Sequence, residues 1–135
     1  MSGPLAFRIE LDDPYEAALE KVAAALKVEG FGVLTKIDVK ATMKEKLDAD
    51  FRPYTILGAC NPPLAHRALS NEPLVGLLLP CNVTVEATEA GGSLVSIVNP
   101  EAMMSVGALA DSDVVCSVAA EARTRLERVA AALRA

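Results

Sequence analysis

A chain of 135 residues is long enough to bury a core without disulfides or a structural metal, and it reads as a single domain over residues 1–135. Its 52% hydrophobic and 23% charged residues exclude a disordered or collagen-like polymer. A net charge of −5, with rings limited to two tyrosines and three phenylalanines, argues against a nucleic-acid partner or an anionic membrane surface, because like charges repel and few rings can stack on bases.

Alternation over Leu5–Leu11 predicts a first strand. Asp13-Pro14-Tyr15-Glu16 then opens a helix, with Asp13 as N-cap, Pro14 in the first helical position and Glu16 completing a capping box. Tyr15, Leu19, Val22 and Leu26 share one stripe of that helix, and Gly30 supplies a left-handed stop. Phe31–Val39 reads as a second strand with Phe31, Val33, Thr35, Ile37 and Val39 on one face. Asp38 caps a short helix through Leu47. A third strand, Tyr54–Ala59, leads to Asn61-Pro62-Pro63, where the pre-proline residue is pushed into the extended geometry of an N-cap, and a helix follows to about Leu69.

The run Leu74–Leu79 between Pro73 and Pro80 reads as a connection. Asn82–Thr88 and Ser93–Val98, joined around Gly91-Gly92, form a β-hairpin. Asn99-Pro100 starts a short helical turn. From Asp111 or Ser112 a long helix carries Val115, Val118, Ala122, Leu126, Val129 and Leu133 on one stripe and a Glu121–Arg125 pair on another side. A hairpin within this order breaks regular strand–helix alternation, so the fold class is α+β, an antiparallel sheet with helices packed mainly on one face.

Three cysteines, with no secretory apolar segment ahead of them, point to a reducing cytoplasm. Leu74–Leu79 is far shorter than the ~20 residues that cross a bilayer, so no membrane partner is expected. No glycine-rich phosphate cradle opens a helix, no GxSxG is present, and the single histidine excludes HExxH or a multi-histidine metal site. No cofactor is assigned.

The residues that can carry chemistry are Cys60, Asn61, His66, Cys81 and Asn82, in "GACNPPLAHRAL" and "LLLPCNVTV". Cys60 precedes the cap of the Pro62 helix, whose unpaired N–H groups favour a thiolate, so a depressed thiol pKa is expected there. His66 lies one turn past Pro62, and helical side chains lean toward the N-terminus, which directs the imidazole back toward Cys60. If the strand of Cys81 neighbours that of Cys60, three soft or borderline ligands converge. Against this, a free cysteine is most often a small core residue, and Cys116, in the second turn of the last helix, is expected to serve packing alone.

Ile37-Asp38-Val39-Lys40, the Gly58–Leu69 segment with Cys60, Asn61, Pro62 and His66, Leu78-Leu79-Pro80-Cys81-Asn82, and Val98-Asn99-Pro100-Glu101 together make nearly the whole chain resemble the domain of unknown function 302 family. The resemblance implies a TBP-like, two-layer α+β domain of bacteria or archaea, commonly dimeric, with no assigned activity. Asn99 stands where that family often has aspartate, which removes an acidic group and weakens any general-base role there.

Two functional classes follow. In the first, the chain is a small-ligand or partner-binding module with a pocket around Cys60, His66 and Cys81. In the second, Cys60 and Cys81, with His66, perform thiol redox or sulfur-relay chemistry or bind a soft metal. A homodimer is expected in either case, because the apolar content exceeds what the helices cover.

Overall fold

Inward-facing residues alternate along the strands and define one buried face of the sheet. In β3 (Tyr54–Cys60) these are Thr55, Leu57 and Ala59; in β4 (Cys81–Ala87) Cys81, Val83 and Val85; in β5 (Ser93–Val98) Ser93, Val95 and Ile97. The computed structural model describes residues 3–135. With β1 (Ala6–Leu11) and β2 (Gly32–Asp38) these strands form a five-stranded sheet in the order β1-β5-β4-β3-β2, antiparallel throughout. The hairpin pairs Val83 with Ile97 and Val85 with Val95.

Helix α1 (Tyr15–Val28) buries Leu19, Val22 and Leu26, and the long terminal helix buries Val115, Val118, Leu126, Val129 and Leu133, against that face. Each such side chain contributes roughly 1.5–3 kcal/mol, so these two stripes and the inner face of the hairpin dominate the core. Three shorter helices complete the chain: α2 (Val39–Leu47), α3 (Pro62–Asn71) and α4 (Pro100–Met103), which makes the terminal helix α5 (Asp113–Arg134). Pro73–Leu78, read as a connection, is a 3-10 turn. No described helix is long and apolar enough to cross a membrane.

Gly30 ends α1 with φ +86°, while the Gly30 and Phe31 N–H groups donate to the Lys27 and Leu26 carbonyls, a Schellman stop. Asp38 caps α2 by accepting from the Ala41 N–H at 2.9 Å. Elsewhere the local reading is corrected. Helix α1 starts at Tyr15 with Pro14 at the cap position and no side-chain cap. Asp13 is drawn away, its carbonyl accepting from Ser93 Oγ at 2.8 Å and its carboxylate facing Lys21 at 3.5 Å. Strand β2 has no single apolar face, because a bulge between Val33 and Thr35 breaks the alternation and all seven residues of this edge strand are exposed. Cys116 lies in the first turn of α5, exposed, with Sγ 3.4 Å from the Ala110 carbonyl, so it does not pack in the core.

Candidate functional site

The two cysteine segments meet at one end of the sheet. Strand β3 runs out at Cys60, and Asn61 turns the chain into α3 by accepting from the Leu64 N–H at 3.3 Å, with prolines filling the first helical positions. The Leu79–Pro80 peptide is cis, and β4 begins at Cys81, paired with Ala59. That register brings Cys60 and Cys81 to the same end of two adjacent strands.

Helix α3 covers this end and is tied to α5 by Ser112 Oγ donating to Asn71 Oδ1 at 2.8 Å and by Arg67 reaching Ser117 and Glu121. Alanines face each other where the helices approach. Ala65 and Ala68 of α3 and Ala122 of α5, with Cys60, Cys81 and Met104, line a cavity of about 30 Å³. Asn61, Leu79 and Pro80 also border it. Small-molecule pockets are typically ~300–1,000 Å³, so this space holds a water-sized or methyl-sized group, not a whole cofactor.

Electrostatics in the cavity run opposite to the expectation for Cys60. Burial pushes its thiol pKa up, not down. Cys81, only 5% exposed, is pushed up to about 11, first by burial and then by the neighbouring Cys60 thiol. The cause is burial, which penalises the charged thiolate relative to the neutral thiol. Both thiols are protonated at neutral pH.

The sequence-derived set therefore divides. Cys60, Asn61 and Cys81 share the cavity. His66 is exposed on α3 and does not line it, and Asn82, next to Cys81 along the strand, points to the opposite face of the sheet and is exposed. The expected three-ligand site of Cys60, His66 and Cys81 does not form; among the described residues no three of His, Cys, Asp or Glu come together. Met104 was missed. It closes α4, donating its N–H to the Pro100 carbonyl at 2.9 Å, and lies 4% exposed in the cavity wall, a placement set by long-range packing that no local pattern announces.

The sequence profile described as "Domain of unknown function DUF302" matches residues 7–133. The chain belongs to the DUF302 family. A crystal structure of an uncharacterized conserved DUF302 protein from Bacillus stearothermophilus is similar to this DUF302 chain with a TM-score of 0.84 and 28% identity, over 98% of this chain and 100% of that one. No match is found among curated proteins. In this DUF302 chain the family segment from Gly58 to Leu69 is the one that builds the Cys60 wall of the cavity and the start of α3.

Proposed function

We propose that this DUF302 chain is a binding module of one domain whose pocket, at Cys60 and Cys81, receives a small apolar group from a ligand or a partner. The character of the cavity wall carries this reading: it contains no charged side chain, and both of its thiols are held protonated. A nucleophilic thiol needs an adjacent base or a lowered pKa, and His66 lines no part of the pocket. The test is chemical-shift mapping with 2-propanol as a small apolar probe. Saturable shifts confined to the amides of Ala59–Ala68 and Leu79–Cys81 support the pocket; shifts spread over the surface reject it.

Thiol redox or sulfur relay is the second reading, favoured by the mutual influence of Cys60 and Cys81. It is disfavoured by register, which places Cys81 opposite Ala59. Three free cysteines support a reducing, cytoplasmic setting. The TBP-like reading rests on the family resemblance, and the net charge of −5 opposes a nucleic-acid partner.

A second copy of the chain is the partner proposed for β2. This edge strand exposes Val33, Leu34 and Ile37 and contains no proline to block pairing. A two-fold antiparallel pairing of two β2 strands through Ile37 sets Lys36 of each copy against Asp38 of the other.

A further inference from the structure

Strand β2 is the edge of the sheet beyond β3, so the side of its backbone turned away from β3 has no strand beside it within the chain. The bulge between Val33 and Thr35 breaks this edge into two short stretches. Thr35–Asp38 is the stretch that the proposed pairing with a second copy uses. The other, Gly32-Val33, opens beside the C-terminal half of α1.

Small residues leave space there. Gly30 stops α1 in left-handed geometry, and a methyl group built on Gly32 would meet nothing within 4 Å. On α1 itself, Ala23 stands one turn before Lys27. Ala23, Lys27, Gly30, Phe31, Gly32 and Val33 line a hollow of about 410 Å³, which falls within the ~300–1,000 Å³ of ligand clefts. Phe31 is buried in its wall, and Val33, 38% exposed, stands at its rim. The one charged group in the lining is Lys27, which is exposed and makes no ion pair among the described residues.

An open strand edge that ends at an apolar hollow with a single ammonium group suits an extended chain with a negative tip. Main-chain hydrogen bonds form along the edge, an apolar side chain enters the hollow, and the ammonium meets the charge. Pairing cannot continue past Gly32, where β2 begins, so the charge beyond that point belongs to a chain end and not to the middle of a strand. We infer that the groove between α1 and Gly32-Val33 binds the C-terminal segment of a partner polypeptide as an added strand, with an aliphatic or aromatic last residue and the terminal carboxylate on Lys27. A lysine in the last turn also complements the dipole of α1, a role that asks for no hollow and that a change in the peptide alone leaves untouched.

The groove is separate from the cysteine cavity, and its test needs neither thiol. Pentapeptides whose last and third-last residues vary among Val, Leu, Ile and Phe are arrayed through their N-termini, each as the free acid and as the terminal amide, and probed with the full chain. The best free acid is then titrated into isotope-labelled protein. Saturable shifts should map to the amides of Lys27–Val33. Amidation of the peptide and Lys27→Gln should each weaken binding roughly tenfold, the worth of one hydrogen bond to a charged group, while Lys27→Arg should retain it. Ala23→Glu offers Lys27 a carboxylate at i,i+4, so it should keep or raise the melting temperature and still weaken binding. Ile37→Lys, at the centre of the proposed two-copy pairing and outside the hollow, should leave binding unchanged. An array in which no free acid exceeds its amide overturns the inference, as do shifts that map elsewhere, binding indifferent to Lys27→Gln, or binding lost with Ile37→Lys.

Discussion

The side chain of Asn61 occupies the space that a methyl group on Gly30 would need: a Cβ at Gly30 would lie 2.9 Å from Asn61 Nδ2. The end of α1 and the start of α3 thereby meet at one glycine and one asparagine, Gly30 stopping its helix and Asn61 starting its own. Two local punctuation marks become one tertiary contact, and it stands at the edge of the cysteine cavity.

Asn61→Ala should lower stability by about 1 kcal/mol through loss of the Leu64 cap. Gly30→Ala should cost more, because left-handed geometry at φ +86° adds ~1–2 kcal/mol to the clash. In the double variant the clash is relieved, so urea melts should show it less destabilised than the sum of the two. Strict additivity would mean that the two residues do not touch in solution.

Stability should fall at high pH. The unfolded Cys81 thiol ionises near its ordinary value of 9.0 while the folded one holds its proton to about 11. Between those values the unfolded state binds fewer protons, and folding loses about 1.4 kcal/mol per pH unit from this group alone. Below pH 9 the contribution is constant. Urea melts at pH 8 to 11 should show Cys81→Ala with a shallower decline than the parent; parallel declines would contradict the burial of this thiol.

How much of this was readable in advance depends on range. Gly30, Asp38, Asn61 and the Gly91-Gly92 hairpin act within a few residues, and their capping and turn chemistry was legible. Asp13 has the local signature of a cap, but Ser93, far along the chain, holds its carbonyl. The meeting of Cys60 and Cys81 could be posed only as a conditional on strand order. Met104 was invisible, and His66 was misplaced because one helical turn of spacing does not say which side of α3 faces the sheet. Its position before a helix predicts a lowered Cys60 pKa, whereas the burial that raises it belongs to the assembled fold.

The β2 edge should hold two copies together. Sedimentation at micromolar concentration should give a dimer, and Leu34→Lys, at a residue 68% exposed in the free chain, should shift it toward monomer without lowering the melting temperature of the monomer itself. A concentration-independent monomer for the parent would contradict the pairing, and a dimer indifferent to Leu34→Lys would move the interface elsewhere.

Alkylation of the folded protein at neutral pH, read site by site by peptide mass spectrometry, tests whether Cys60 and Cys81 border an apolar pocket that keeps them protonated. The exposed Cys116 should label first, the half-buried Cys60 more slowly, and Cys81 only on unfolding, with His66→Ala changing none of these rates. Cys60 labelling faster than Cys116, and slowing when His66 is removed, would contradict the pocket and restore an activated thiol.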